Sequence, residues 1–194
     1  DDLFKFSVEV FKRASGRKLS TLEVHDIVYK IADVVVVGGV RRSALISLSD
    51  LHDNTLRTAK TGNWGETDVQ RALANNSAVY SNCPDLSTFL KEWQSLYESR
   101  SGERGIFNRL AAKKQAEASG KRDIGGWDFG TNPCGEIILR PMGFCNLTEV
   151  VIKPEDNFES LKRKVEIATI LGTFQSTLTD FRYLRSGWKK NAEE

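Results

Sequence analysis

The sequence has few of the residues that mark secreted, membrane-spanning or metal-binding proteins. Its 194 residues include three cysteines and two histidines. An odd and small number of cysteines argues against a secreted scaffold held by disulfides. The longest apolar run, Val34–Val37, is far too short to cross a bilayer, and the amino terminus lacks the layout of a signal peptide. We therefore predict a cytoplasmic protein with no membrane partner, whose thiols are reduced except during turnover.

An excess of charge of one sign is also missing. The formal net charge is +2, from 28 basic and 26 acidic residues, and no basic patch stands out, so nucleic acid is not a predicted partner. The hydrophobic content of 40% and the charged content of 28% are ordinary for a globular domain with a core. Both ends lack the features of a finished domain, which predicts that the chain is a piece of a longer protein.

Short β-branched segments alternate with amphipathic stretches, and this pattern predicts an α/β fold. A capping box at Ser20–Glu23 predicts the start of one helix, and Asn157 that of the last. Helices are predicted at 3–15, from 20 onward, at 68–74, 86–98 and 107–118, and from 157 to about 184. Strands are predicted at 44–48, 136–140 and 145–152. Val34–Val37 fits either the end of a helix or a buried strand.

Side-chain spacing predicts which residues turn inward. The residues predicted to face the core from helix 86–98 are Phe89, Leu90, Trp93, Leu96 and Tyr97. His25 and His52 are not spaced as metal ligands with any cysteine. We therefore predict that both histidines lie on a helix surface or in a loop.

The most informative stretch is Gly130–Ile137, with the sequence Gly-Thr-Asn-Pro-Cys-Gly-Glu-Ile. Cys134 lies between a proline, which has no backbone donor, and a glycine, which relaxes the limits on φ. Asn132 and Glu136 flank this cysteine at two positions on either side. A sulfur at a tip beside an amide and an acid indicates chemistry rather than packing, although most free cysteines are buried as small hydrophobes.

A second cysteine, Cys145, follows Cys134 by eleven positions. If strands on either side of Met142 pair, Cys134 lies opposite Val150 and several residues from Cys145 along the ladder. A disulfide needs Cα atoms within ~7 Å of each other, so a plain hairpin does not join the two sulfurs. Either the loop folds back or the two cysteines have different tasks. Cys83 lies in a turn where no acidic or basic group supports it as a nucleophile, and it is predicted to be an incidental surface thiol.

The segment Gly38–Ala44 has the sequence Gly-Gly-Val-Arg-Arg-Ser-Ala. Its glycines allow the backbone to approach a ligand closely, and the planar guanidinium groups of Arg41 and Arg42 suit phosphate or base edges. By itself the segment is a weak indication of phosphate binding, because it lacks the lysine and spacing of a P-loop. A solvated turn is the alternative.

Together these motifs resemble ribonucleotide reductase. The segments that carry the resemblance follow one another in the order Gly38–Ala44, Asn75–Ser77, Gly105–Asn108, Asn132–Glu136 and Arg140–Glu149. They most resemble the adenosylcobalamin-dependent, monomeric class II ribonucleoside-triphosphate reductases, whose catalytic chain is much longer. A class I large subunit, in which a separate subunit generates the radical, is the alternative subfamily.

The resemblance implies a fold. Residues 1–194 would form one incomplete segment of the catalytic barrel domain, a ten-stranded α/β barrel with a central finger loop at about 130–136. The loop at about 38–44 would link an allosteric dNTP effector to the substrate base. The residues that the resemblance assigns to this specificity loop are Gly38, Gly39, Val40, Arg41, Arg42 and Ser43.

The resemblance also implies a reaction, the reduction of a ribonucleoside triphosphate to its 2′-deoxy form for DNA synthesis. Cys134 matches the cysteine that becomes a thiyl radical and takes hydrogen from C3′ of the ribose. Glu136 matches the general base for the 3′-hydroxyl, and Asn132 matches the amide that positions the sugar. Cys145 matches one member of the redox pair that closes to a disulfide.

The resemblance places the second member of that redox pair well upstream of the specificity loop. No cysteine precedes Cys83, which follows that loop, so the partner of Cys145 is missing. The chain alone is therefore predicted not to complete a turnover. The resemblance implies adenosylcobalamin as cofactor, a thioredoxin-type reductant, and the remaining segments of the same enzyme as partners. Two other functions stay open: a non-catalytic nucleotide-binding module or piece of a split reductase, and a thiol–disulfide oxidoreductase using Cys134 and Cys145, which would lack a C-x-x-C motif.

Overall fold

A computed structural model describes residues 1–37, 40–41, 43–120 and 124–193. The chain forms two compact units, Asp1–Ile138 and Leu139–Glu194, and each is described by itself. No helix in the described ranges is long and apolar enough to cross a membrane. The prediction that residues 1–194 form a single segment of a ten-stranded barrel stays a prediction.

The first unit begins with helices α1 (Asp2–Arg13) and α2 (Thr21–Asp33). The predicted capping box starts α2, because Ser20 Oγ accepts a hydrogen bond from the Glu23 amide at 3.2 Å and Glu23 Oε2 accepts one from the Ser20 amide at 2.8 Å. After α2, the short strands β1 (Val36–Val37) and β2 (Val40–Arg41) pair antiparallel. The sequence left open whether Val34–Val37 is helix or strand, and the second half of this run is a strand.

A three-stranded parallel sheet forms the centre of the first unit. Its strands, in spatial order, are β3 (Leu45–Asp50), β4 (Ala74–Val79) and β5 (Gly105–Phe107). The crossover from β3 to β4 contains α3 (Asn54–Arg57), α4 (Trp64–Thr67) and a 3-10 helix (Val69–Leu73). The crossover from β4 to β5 contains α5 (Leu86–Ser99), and α6 (Arg109–Ser119) follows β5. Parallel strands joined through helices are the arrangement typical of α/β proteins.

Strand β4 was not predicted, and the helix predicted at 68–74 is wrong. That segment is the 3-10 helix, and the strand begins at Ala74. The residues of β4 are Ala-Asn-Asn-Ser-Ala-Val, most of which are depleted in strands. Pairing with β3 on one side and β5 on the other supplies hydrogen bonds that outweigh this weak local preference.

The inward face of α5 is charged rather than aromatic. Glu92 is the buried residue of this helix, whereas Phe89, Leu90, Trp93 and Tyr97 are exposed by 39%, 52%, 58% and 79%. The prediction that these four face the core is therefore wrong, and Leu96 is half-buried. Leu86, in the first turn, is also exposed.

Glu92 faces inward because two arginines neutralise it. Its carboxylate accepts hydrogen bonds from Arg104 at 2.8 and 3.0 Å and from Arg57 at 2.5 Å. Burial acts to raise the pKa of Glu92, but the bonds from Arg104 and Arg57 outweigh it and lower the pKa below its usual value. Arg104, which is 4% exposed, also donates to Ser49 Oγ and Leu51 O, so this buried charge is fully engaged.

His25 is buried rather than on the surface, so its predicted location is wrong. Its ring is 5% exposed, with Nε2 at 3.0 Å from Asn76 Oδ1 and Nδ1 at 3.1 Å from Asp26 Oδ1. Asp26 also pairs with Arg71 at 2.5 Å. Asn76 comes from β4 and Arg71 from the 3-10 helix, and the local spacing around His25 does not reveal either of them.

The second unit contains two helices, α7 (Phe158–Ser176) and α8 (Ser186–Glu193), where the sequence predicted one helix to about 184. Asn157 caps α7 as predicted, accepting a hydrogen bond from the Ser160 amide at 3.0 Å. None of the described side chains of α7 is buried. Phe144 stacks on Phe181, with ring centroids 4.5 Å apart.

The strand predicted at 145–152 is wrong, because this segment has no strand pairing. The hairpin around Met142 is therefore wrong as well, and with it the pairing of Cys134 with Val150. Instead, the short strand β7 (Ile138–Leu139) pairs with β6 (Gly130–Thr131) on the amino-terminal side. A β-branched sequence makes a strand only where an edge is available to pair with it.

Candidate active site

Cys134 lies at the tip of a loop between β6 and β7. The Asn132 amide donates to Ile137 O at 3.2 Å and closes the base of the loop, while the Gly135 amide donates to Asn132 O at 3.0 Å and forms the turn. Gly135 has a φ of +86°, a conformation that glycine adopts without steric cost. Cys134 is exposed, so its sulfur is accessible to a reactant.

Asn132 holds this loop together with its side chain. The residue is 6% exposed, and its Oδ1 accepts a hydrogen bond from the Ile137 amide at 3.0 Å. No described residue accepts a hydrogen bond from Nδ2 of Asn132. Oδ1 of Asn132 therefore stabilises the loop, whereas Nδ2 can donate a hydrogen bond to a ligand oxygen.

Glu136 is two positions beyond Cys134 and is also exposed. No described residue forms a hydrogen bond or an ion pair with its carboxylate. A carboxylate in this position can accept a proton from a bound reactant. Three of the predicted catalytic residues, Asn132, Cys134 and Glu136, therefore lie within five consecutive positions of the loop between two paired strands.

Two residues outside the predicted catalytic set support the loop from outside it. Asn75, at the second position of β4, donates from Nδ2 to Pro133 O at 2.7 Å. Arg109 donates from Nε to Phe129 O at 2.7 Å, and Phe129 itself is 2% exposed. The motif around Asn75 contributed to the family resemblance, but its spacing gave no indication of this contact. Nothing in the local sequence marks Arg109.

Cys145, the fourth predicted catalytic residue, lies in the second unit and is half-buried. None of the chain's three cysteines, all within the described residues, is in a disulfide. Cys83 is exposed, and among described groups its sulfur forms a hydrogen bond only with the neighbouring Pro84 carbonyl, at 3.8 Å. This placement agrees with the incidental surface thiol that the sequence predicted.

The predicted specificity loop is described only in part. Gly38, Gly39 and Arg42 lie outside the described residues, and Val40 and Arg41 are described as the backbone of β2. Ser43 donates from Oγ to Ala32 O at 2.8 Å, which ties the end of this loop to the last turn of α2. The predicted roles of these residues in nucleotide binding stay predictions.

Within the described ranges, no group of three or more histidine, cysteine or acidic residues could hold a metal ion. The exposed sulfur of Cys134 is open to a radical generator.

Comparison with known proteins identifies similar enzymes. The chain is 33% identical over 144 residues to the adenosylcobalamin-dependent ribonucleoside-triphosphate reductase of Levilactobacillus brevis, covering 73% of the chain and 19% of that enzyme. The enzyme of the same name from Lacticaseibacillus paracasei is 33% identical over 143 residues, covering 70% and 18%. That from Lactobacillus gasseri is 28% identical over 146 residues, covering 73% and 19%.

No protein-family model matches the chain, and no solved structure matches it at a significant level. The chain spans about a fifth of the length of the curated relatives it matches. The relatives confirm the resemblance that the ordered motifs predict. Over 73% of its length, the chain therefore resembles a segment of the adenosylcobalamin-dependent ribonucleoside-triphosphate reductases.

Proposed function

We propose that the chain supplies the radical-bearing loop of a ribonucleotide reductase that converts ribonucleoside triphosphates to 2′-deoxyribonucleotides. The observation that carries the proposal is the loop itself. It presents three groups: the solvent-exposed sulfur of Cys134, the Nδ2 donor of Asn132, and the exposed carboxylate of Glu136. The similarity to enzymes of this name supports the same function, and the ten-stranded barrel of the family is part of the proposal.

The reaction begins with a thiyl radical on Cys134. This sulfur removes a hydrogen atom from C3′ of the ribose, which leaves a thiol on Cys134 and a carbon radical on the sugar. S–H and ribose C–H bonds are comparable in strength, so the transfer is nearly reversible. An exposed, backbone-anchored position suits this step, because hydrogen transfer needs close approach in a defined direction.

Glu136 then accepts the proton of the 3′-hydroxyl as a general base, while Nδ2 of Asn132 donates a hydrogen bond to a sugar oxygen. A thiol of the redox pair protonates the departing 2′-hydroxyl, which leaves as water. Cys145 and a second thiol from another part of the reductase supply two electrons and close to a disulfide. The second hydrogen of this thiol pair goes to C2′, and Glu136 returns its proton to the 3′-oxygen. Cys134 finally returns its hydrogen to C3′ and is a thiyl radical again.

The relatives' names supply the cofactor and substrate class of the proposal. Adenosylcobalamin, on which those enzymes depend by name, would supply the radical when bound. A thioredoxin-type reductant would reopen the disulfide, and a dNTP effector would act through residues 38–43. The remaining polypeptide of the reductase is the partner that the chain needs for turnover.

The test is a chimera in which this chain replaces the matched segment of the Levilactobacillus brevis enzyme. We expect the chimera to form deoxyribonucleotides, Cys134→Ser to abolish their formation, and Cys83→Ser to leave the rate unchanged. Cys83→Ser is a matched control, because both cysteines are exposed. A chimera that folds and still forms deoxyribonucleotides at a normal rate after Cys134→Ser would reject the proposal.

A non-catalytic role as a nucleotide-binding module is the second candidate. Its support is the segment Gly38–Ala44, which the structure ties to α2 through Ser43. Calorimetry of the isolated chain with dNTPs separates the two functions. Tight binding that Arg41→Leu abolishes favours the module, whereas heats no greater than dilution weaken it.

A further inference from the structure

We propose that Asn75 is a positioning residue for Cys134, holding the tip of the loop against the parallel sheet through one hydrogen bond. The proposal rests on the proposed function, because the position of the sulfur matters for hydrogen transfer. The bond runs from Asn75 Nδ2 to Pro133 O at 2.7 Å. It connects β4 to the loop across 58 residues of sequence.

The carbonyl that Asn75 binds belongs to the peptide group that joins Pro133 to Cys134. This group is planar, so its orientation sets the position of the Cα atom of Cys134. The proline ring already fixes φ of Pro133, and a hydrogen bond to the carbonyl oxygen restricts ψ. Proline and Asn75 together therefore define the direction from which the backbone enters Cys134.

The hydrogen bonds inside the loop cannot do this. The Gly135 and Ile137 amides both donate to Asn132, through its carbonyl and its side chain, and these bonds fix the shape of the loop. They leave its placement against the sheet undetermined. Among the described residues, Asn75 makes the one side-chain hydrogen bond to residues 133–136.

Asn75 is itself held on a rigid support. The carbonyl of the preceding residue, Ala74, accepts a hydrogen bond from Lys60 Nζ, and the amide of the following residue, Asn76, donates to Glu103 Oε2 at 2.8 Å. Lys60 and Glu103 pair with each other at 2.8 Å. This ion pair therefore clamps the backbone on both sides of Asn75.

The alternation of side chains along β4 directs Asn75 outward. Asn76 is 3% exposed and contacts His25, whereas Asn75 is exposed. Successive residues of a strand face opposite sides of the sheet, so the burial of Asn76 turns Asn75 toward the loop. A strand is a more precise platform for such a contact than another loop would be.

The first experiment measures amide hydrogen exchange on the 194-residue chain itself, so it does not depend on enzymatic activity. Asn75→Leu removes the donor and keeps the size of the side chain. Its matched control is Gln94→Leu, because Gln94 is an exposed carboxamide that donates a 2.7 Å hydrogen bond elsewhere, to Glu98. We expect Asn75→Leu to speed the hydrogen exchange of the Gly135 and Ile137 amides about fivefold, as for the loss of one ordinary hydrogen bond, and the control to leave both unchanged.

The second experiment measures kcat and KM of the chimera carrying Asn75→Leu. We expect kcat to fall about tenfold or more with KM unchanged, because misplacing a reacting group affects the chemical step. Unchanged exchange of both amides, equal acceleration in the control, or an unchanged kcat would each overturn the proposal. If Cys134→Ser leaves the chimera active, the proposed function fails, while the exchange data still decide whether Asn75 holds the loop.

Discussion

The ring of His25 and the side chain of Asn76 meet inside the first unit, with Nε2 and Oδ1 3.0 Å apart across 51 residues of sequence. The contact joins α2 to β4. Because Asn76 follows Asn75, it also fixes the strand from which Asn75 contacts the cysteine loop. A residue predicted at the surface is thus part of the support of the candidate active site.

We expect His25→Leu to lower the free energy of unfolding by about 1–3 kcal/mol, because it leaves the buried Asn76 Oδ1 without its partner. Urea denaturation followed by circular dichroism measures the change. The control is His52→Leu, since His52 is exposed in a turn and its replacement should stay within about 0.5 kcal/mol. Equal losses for the two variants would contradict this account.

Glu92→Leu should be more damaging. It leaves the guanidinium of Arg104, which is 4% exposed, without its carboxylate, and breaking a buried ion pair by removing one partner costs about 3–5 kcal/mol. Glu98→Leu changes an exposed acid on the same helix and should cost far less. Equilibrium unfolding of both variants tests the difference, and similar midpoints would show that the buried pair contributes little.

Gly135→Ala tests the turn that presents the sulfur. Gly135 has a φ of +86° with no other heavy atom within 4 Å of an added Cβ, so the expected cost of about 1–2 kcal/mol comes from backbone conformation alone. Gly126→Ala is the control, because that position also has open space and no positive φ. Amide exchange of residues 132–137 should accelerate in the first variant only. Protection that is unchanged in Gly135→Ala would show that the turn does not depend on the left-handed conformation of Gly135.

Asn132→Asp separates the two halves of the amide. The remaining carboxylate oxygen can still accept the Ile137 amide, but the Nδ2 donor is lost. In the chimera, we expect kcat to fall about tenfold or more while the Ile137 amide keeps its protection from exchange. A variant that loses protection as severely as Asn132→Ala would show that the residue acts on the fold rather than on the substrate.

Glu23 gives the first unit a dependence on pH. Hydrogen bonds from the Arg17 side chain and the Ser20 backbone lower the pKa of Glu23 from 4.5 to about 2. Its stabilising effect is therefore complete above pH 4.5 and is lost as the pH falls through about 2. The difference in Tm between the wild type and Glu23→Gln should be largest near neutral pH and shrink in that acidic range. A difference that stays constant with pH would contradict the assignment.

The parts of the fold that depend on neighbouring residues could be predicted from the sequence. The Ser20–Glu23 box, the Asn157 cap and the turn at Cys134 each form between residues a few positions apart. These caps and turns form through the residue types at neighbouring positions, which the sequence shows directly. The loop that carries three of the four predicted catalytic residues belongs to this group.

The parts that depend on distant residues could not be predicted in this way. The strand β4 consists of residues with weak strand preference, and its formation depends on β3 and β5. Glu92 turns inward because Arg57 and Arg104 arrive from other elements. The contact of Asn75 with Pro133 depends on the same sheet. Supporting residues of a site are hard to find in one sequence because their contacts join residues that are far apart along the chain.

The outward aromatic stripe of α5 has a practical consequence for work with this chain. Sulfate and phosphate strengthen the tendency of apolar area to leave water, and here much of that area, including Trp93 and Tyr97, is already on the outside. Salting-out should therefore begin at low concentrations of these anions, before any gain in folding free energy becomes visible. Crystallisation and calorimetry are best started in chloride buffers.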